Sequence, residues 1–467
     1  MPRRPGGSPR RFLAAILYIL VTSGHALIPH QGSSQTPPQS GVFDAWARWA
    51  VSGPWKGPVT PYPRIDTRPT AAGAPLRSSV APVAVHQEAR VAVSPQRLAT
   101  VLRLTEQLYA ALRLNGYAVP HSDGGRAGTA GFDLYVVDGP EQATAALDSA
   151  NLIGTYDAAL VHGRLSAHIP DGALPGCIAQ TLADAGLLAL EPAENALTRH
   201  SSAILAAYHI TGQFGCQHSP ASLQQQPQRG IFDDPSGAQA ALFLAVLAER
   251  QHHDPGRFVQ DMWQFARQRS EDLSALQGSP TLWEAIGRAL ENAGEWPDDV
   301  QLDFATARYF AGIPERRQHA TYPVLRALPS TAAVPTLAQL SSAALPQHVY
   351  ESQGLGVLGS AYIEVLIPEP QPGAELRVWL RGDPKARWSL SAVRLAADYR
   401  DLGRVSAGAH RTRDSYVPLV LTTNTKRALI VVTRLPRTTL AEPDVDPSAA
   451  PFKVIVDWTG KNQAAER

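Results

Sequence analysis

The apolar positions of this chain change period along its length. At Ser94-Pro95 a serine suited to a helix N-cap precedes a proline suited to the first helical position. From there Leu98, Val101, Leu102, Leu108 and Leu112 recur at helical spacing, which predicts a helix ended by Gly116. Phe132–Val137 and Ala158–Val161 are short apolar runs that predict strands. Helical spacing then returns through Ile178, Leu182, Ala185 and Leu188. It continues across 194–212, a segment apolar almost all round and so expected to be central. Three further helices are marked by Leu242, Phe243, Val246 and Leu247, by Phe258 to Ala266 after Asp254-Pro255, and by Leu282, Ile286 and Leu290 after Ser279-Pro280.

Beyond residue 348 the period falls to two. Leu376–Arg381 and Phe452–Trp458 alternate, and Ala361–Ile367, Trp388–Leu395, Tyr416–Leu421 and Ala428–Thr433 complete a set of short strands expected to form a β-sandwich. Residues 328–348 lose periodicity and carry Pro329, Pro335 and Pro346, the pattern of an interdomain linker. Residues 27–94 are rich in Pro, Ser, Gly, Ala and Gln and read as a disordered lead, either tether or propeptide. The expected fold class is therefore an α+β domain over 95–327 followed by an all-β sandwich domain over 349–459, with a short disordered tail at 460–467.

Composition narrows the function classes. The chain has 467 residues, 44 % hydrophobic, with 39 prolines, and Lys+Arg 42 against Asp+Glu 41. That balance lacks the basic excess of a nucleic-acid binder. The first residues carry Arg3, Arg4, Arg10 and Arg11 without an acid, then an apolar run over 12–22, then Ser23-Gly24-His25-Ala26. This order predicts a signal peptide over 1–26 and a secreted or periplasmic product with no transmembrane span after cleavage; the rival reading is an uncleaved anchor. Arg10-Arg11-Phe12-Leu13 resembles a twin-arginine signal but lacks the residue between the arginine pair and the Phe-Leu. Removing the four arginines turns the net charge from +1 to −3. Cys177 and Cys216, the two cysteines of a chain sent to an oxidising compartment, are expected to form a disulfide, with two free thiols as the alternative.

No His-Glu dipeptide occurs anywhere, which removes the His-Glu-x-x-His helix outright, and Gly-x-Ser-x-Gly, Ser-x-x-Lys and Walker motifs are also missing. Even so, one resemblance runs along the chain. The Asp-Gly-Gly-Arg-x-Gly loop and Phe-Asp-Leu-Tyr-Val strand within Asp123–Val137 resemble the start of secreted zincin-type peptidase domains. Gly237–Phe243, Leu247–Arg250 and Trp263 resemble the helices that follow the zinc helix in such families, and the β-rich tail resembles sandwich domains appended to secreted bacterial peptidases. Where the zinc helix would lie the chain reads Ile178-Ala179-Gln180-Thr181-Leu182-Ala183, or Leu205-Ala206-Ala207-Tyr208-His209. The resemblance thus implies a zincin-like fold without its metal site, and it assigns no catalytic or cofactor residue.

The remaining candidate metal ligands are His200, His209, Glu249, His252 and His253. His200 and His209 stand nine residues apart, on opposite faces of a helix, which does not suit one ion. Glu249, His252 and His253 sit together at a helix end, where imidazolium also suits the helix dipole. The loop Asp123–Thr129 offers backbone groups to an anion or calcium, or is a turn that needs positive φ. Asp444 and Asp446 offer carboxylates to calcium, or form an acidic loop. The expected function is a secreted non-catalytic protein that binds an extracytoplasmic ligand or surface and needs no cofactor. The alternatives are an active hydrolase with an unrecognised metal site, and a carbohydrate- or surface-binding protein acting through Trp379, Trp388 or Trp458. In the strand pattern Trp388 and Trp458 fit the core.

Overall fold

In the computed structural model the described residues are 65–459, apart from 124, 140–142, 154–155, 217–223, 232–236, 252–254, 268–280, 408–413 and 437–448. The predicted signal peptide and tail, the lead up to residue 64, His252, His253, Asp444 and Asp446 lie outside them.

Order begins earlier than the composition of the lead implies. Strands β1 (Leu76–Arg77) and β2 (Val83–Gln87) precede the first helix, α1 (Pro95–Leu114). Val83, Ala84, Val85 and His86 are all buried, because β2 lies between β1 and β3 in a sheet rather than in solvent. A five-residue strand beside Pro82 is too short to stand out from proline-rich surroundings. The sheet is completed by β3 (Phe132–Val137), β4 (Ala143–Ile153) and β5 (Tyr156–Ser166), in the order β1-β2-β3-β5-β4. β2, β3 and β5 are parallel, and β1 and β4 close the two edges antiparallel. Val83, Val85, Phe132, Leu134, Val136, Val161 and Leu165 join the core on one face. Strand alternation therefore turns His86, Asp133, Tyr135, His162 and Arg164 to the other face.

α1 starts as its sequence dictates, with the Ser94 hydroxyl accepting from the Arg97 N–H and proline in the first turn. α2 (Leu174–Leu190) packs against β5 and β4, and every residue of it except Pro175 is buried. Residues 171–190 are long and apolar enough to cross a membrane, but they comprise a 3-10 turn, Asp171–Ala173, and this buried core helix. α3 (Ala196–Thr211) lies against α2 and ends at Gly212, whose φ of 73° suits the left-handed cap. The Cys177–Cys216 disulfide joins the first turn of α2 to the residues beyond α3. α4 (Ala238–Arg250), α5 (Pro255–Ala266), α6 (Leu282–Asn292) and α7 (Pro297–Arg308) follow. α6 carries a capping box, Thr281 with Glu284, and α7 opens on Pro297 with Asp298 and Asp299 in its first turn.

The C-terminal part is β-rich, with two sheets over one core. β6 (Ala338–Ser341), β8 (Ser360–Leu366), β10 (Arg387–Leu395), β11 (Asp401–Ala407) and β13 (Arg427–Leu435) form one sheet in the order β11-β10-β13-β8-β6. β7 (Gln347–Leu355), β9 (Glu375–Gly382), β12 (Asp414–Val420) and β14 (Ala450–Trp458) form the other, in the order β12-β9-β14-β7. Ile363, Leu380, Trp388, Ile430, Val432 and Phe452 meet between the sheets. The reverse face of the first sheet is buried too, since Tyr362, Val393, Leu395, Leu429 and Val431 belong to the core that the helices build. Burial on both faces is why β13 reads as a continuous apolar run instead of alternating.

The junction is welded by polar groups as well. Buried Glu364 on β8 accepts from Tyr309 Oη, Arg316 Nη2 and, at 3.3 Å, Gln339 Nε2. The Arg316 guanidinium lies 3.9 Å from the Tyr309 ring centre, and Tyr362 Oη donates to the Ala305 carbonyl at 2.7 Å. The segment 328–348 is not a free linker, because it contributes β6 to the first sheet, parallel to β8. Its prolines flank the strand and leave its backbone donors intact.

Candidate functional site

Among the described residues of the helix-bearing part, polar clusters lie on both sides of its sheet. The first lies between α2 and α3. Gln180, Thr181 and Asp184 stand at i, i+1 and i+4 along α2. Gln180 Oε1 accepts from the Cys216 N–H at 2.6 Å, and Thr181 Oγ1 donates to the Cys177 carbonyl at 2.9 Å. Asp184 is fully buried. It accepts from Arg199 Nε of α3 at 2.7 Å and, through its other oxygen, from the Ala145 N–H of edge strand β4 at 3.1 Å. His200 Nδ1 stands 3.4 Å away. Burial alone would raise the Asp184 pKa, but Arg199 and His200 outweigh it and hold the carboxyl below its ordinary range.

The second cluster lies on the sheet face turned away from α1 and α2. Residues 65–72 cross that face, and Arg68 reaches into it. Arg68 Nε and Nη2 engage the two carboxylate oxygens of Asp148, the first at 2.8 Å, in a fork. Nη1 donates to Asp133 Oδ2 at 2.7 Å, and Nη2 lies 2.8 Å from Asp123 Oδ2. Each carboxylate has a second support. Asp133 Oδ1 meets His86 Nε2 at 2.8 Å and Thr129 Oγ1 at 2.7 Å. Asp148 Oδ1 meets His162 Nδ1 at 2.9 Å. Asp123 Oδ1 accepts from the Gly125 N–H at 2.8 Å, a turn in which Gly125 and Gly128 both have positive φ.

Tyr135 floors the cluster, stacked on His86 with ring centres 4.5 Å apart and set edge-on to His162 at 5.6 Å. Asp148 is the extra residue of a β-bulge in β4, between Leu147 and Ser149, a device that re-aims a side chain. Burial raises the pKa of Asp133, but hydrogen bonds, led by those from His86 and Thr129, outweigh it and hold this carboxyl at about 2. Asp148 is held below its ordinary range in the same way, burial being outweighed by His162 and Arg68. Burial of Arg68 opposes its charge, yet Asp148 and Asp133 raise its pKa further.

Of the candidate metal ligands, the three that are described, His200, His209 and Glu249, do not meet. His200 is beside Asp184, whereas His209 Nδ1 is 3.1 Å from Tyr117 Oη. Glu249 accepts from the Val324 N–H at 2.9 Å, and burial pushes its carboxyl up to about 7. No group of three or more His, Cys, Asp or Glu side chains placed to hold a metal occurs among the described residues. Of the tryptophans singled out on the sandwich, Trp388 is buried and Trp458 half-buried against the core. Trp379 is half-buried and tilted at 33° to Tyr416.

Arg68, Asp133, Asp148, Asp184 and Arg199 carry no motif spacing that marks them in the sequence. The available signal was a charged or histidine residue inside an apolar run, as in Val-Ala-Val-His-Gln or Phe-Asp-Leu-Tyr-Val.

No family model and no curated protein matches this chain. Solved structures similar to part of it include the pre-peptidase C-terminal domain of a collagenase from Bacillus anthracis, at 6 % identity and TM-score 0.18, over 27 % of this chain and 97 % of that one. Another is the mitogen derived from Yersinia pseudotuberculosis, at 10 % identity and TM-score 0.18, over 26 % and 92 %. A third is the enzymatically active domain of tailspike protein 4 of bacteriophage CBA120, at 12 % identity and TM-score 0.17, over 24 % and 18 %.

Proposed function

We propose that the chain is an extracytoplasmic, non-catalytic relative of zincin-like metallopeptidases, with a binding or envelope-associated role. The Asp184–Arg199 pair carries the reading. A His-Glu-x-x-His helix sets two imidazole ligands at i and i+4 and the general base at i+1. On α2, the helix after the last sheet strand and beside the antiparallel edge strand, that register holds Gln180, Thr181 and Asp184. None is an imidazole. Asp184, the one ionisable group among them, is already engaged by the Arg199 guanidinium and the Ala145 N–H. A fixed positive charge stands where a divalent cation would need an open carboxylate.

The order of a backing helix, a mixed sheet and then two packed helices supports the zincin relation, as does the β-rich C-terminal part. The Cys177–Cys216 disulfide agrees with an oxidising compartment, to which the Arg-rich, apolar N-terminus also points. The test is hydrolysis of a peptide library by the purified chain with zinc added. The reading predicts no cleavage. Chelator-sensitive cleavage that Asp184→Ala abolishes would overturn it.

A further inference from the structure

We propose that the carboxylate cradle of Asp123, Asp133 and Asp148 is a recognition site for an arginine side chain in an extended peptide, and that residues 65–72 fill it in cis as a displaceable strap. The proposal is independent of the zincin reading, because the cradle lies on the opposite face of the sheet from α2.

Three observations lead to it. First, each carboxylate of the cradle has a hydrogen-bond partner other than Arg68. His86 and Thr129 orient Asp133, His162 orients Asp148 and the Gly125 N–H orients Asp123. Tyr135 supplies a flat floor between the two imidazoles. Such a recess is preorganised for a planar, forked cation, and a lysine ammonium would not match the fork on Asp148.

Second, the strap is weakly held apart from its arginine. No residue of 65–72 is buried, and Ile65 is 58 % exposed. Its other ties are a few hydrogen bonds: Asp66 N–H to the Leu147 carbonyl at 2.9 Å, Arg164 Nη2 to the Thr67 carbonyl at 2.8 Å, Ala89 N–H to the Thr70 carbonyl at 2.8 Å, and Ala72 N–H to the Gln87 carbonyl at 2.8 Å. The Arg68 side chain, in contrast, is only 17 % exposed. With no buried apolar side chain, the segment opens at low cost once another arginine takes over the contacts of Arg68.

Third, Arg68 does not exhaust the cradle. Asp123 Oδ2, on a side chain with no exposed surface, faces the guanidinium at 2.8 Å without an aligned hydrogen bond. Three buried carboxylates face the one guanidinium, which favours exchange for another arginine over an empty recess.

The experiment uses a fluorescent nine-residue peptide of the strap sequence, residues 64–72, titrated into the full chain carrying Arg68→Ala. Saturable binding is expected, at least ten-fold tighter than to the wild-type chain, in which the cis strap competes. A control peptide with citrulline at the position of Arg68 keeps the shape without the charge and is expected to bind at least ten-fold more weakly. Equal binding of the two peptides, or no binding of either, overturns the proposal. Should Arg68→Ala fail to fold, hydrogen exchange of the wild-type chain decides. Millimolar arginine peptide is expected to speed exchange across 65–72 at least ten-fold and leave α2 unchanged, and the citrulline peptide to do neither. Unaltered strap exchange overturns the proposal.

Discussion

Arg199→Met isolates the interaction that closes the polar face of α2. It keeps the side chain's length and apolar contacts but removes the donor 2.7 Å from Asp184, on a carboxylate that is 1 % exposed. Breaking a buried pair from one side costs about 3–5 kcal/mol, because a charge is left without its partner. The Ala145 N–H at 3.1 Å and His200 Nδ1 at 3.4 Å remain, so a loss near the lower end, about 3 kcal/mol at pH 7, is expected.

The pH dependence fixes the cause. In the wild-type chain the Asp184 pKa is depressed, so its contribution is present above the ordinary carboxylate range and is lost as pH falls through the folded value. In the variant, burial without Arg199 raises the pKa, and Asp184 takes up a proton as pH falls from 7 towards 4. The difference between the two chains should therefore shrink over that window. Urea unfolding at pH 7, 5.5 and 4.5 reads it directly. The double variant Asp184→Asn/Arg199→Met should lose less than the sum of the singles. A cost that does not change with pH, or strictly additive singles, would show that Arg199 acts through packing and refute the reasoning.

Other parts of the structure yield equally definite expectations. Replacing Cys177 and Cys216 by alanine opens a crosslink spanning 39 residues and should lower stability by about 4 kcal/mol on the chain-entropy estimate, read by chemical unfolding of the oxidised wild type against the double variant. Gly186→Ala adds helix propensity worth about 1 kcal/mol. Its Cβ would nevertheless fall well inside contact distance of the Ala118 carbonyl oxygen, so a net drop in melting temperature is expected. Glu249 is raised to about 7 by burial, so the stability it lends is complete below its unfolded pKa and is lost as pH rises through 7. Glu249→Gln should accordingly gain on the wild type between pH 5 and pH 8 in paired melting curves. An equal offset at both pH values would contradict that assignment. Glu364→Leu should leave Arg316 buried beside Tyr309 without its carboxylate and cost about 3–5 kcal/mol, measured by urea unfolding.

Much of the architecture was legible because burial leaves a period. α1 and α3 carry both cap signals and a helical repeat, and β9 and β14 face solvent on one side and so alternate. β4 was not legible, since Ala143-Thr144-Ala145-Ala146-Leu147 offers few β-branched or aromatic side chains and is held by its pairing with β5. β2 and β6 were hidden among prolines that flank them. α7 buries Val300, Phe304 and Ala307, but its acidic first turn masks the pattern. The polar clusters were illegible for a different reason. Arg68, His86, Asp123, Asp133, Asp148 and His162 come from separate segments and are neighbours only after the sheet forms. Asp184 and Arg199 meet only because α2 and α3 pack together.

On the proposed reading, α2 holds a closed ion pair, Asp184 with Arg199, where a metal helix would hold ligands. The decisive quantity is the zinc content of the purified chain after dialysis against zinc and removal of the unbound ion. No stoichiometric zinc is expected, and no change on Asp184→Ala. One equivalent of zinc that Asp184→Ala or His200→Ala removes would contradict it.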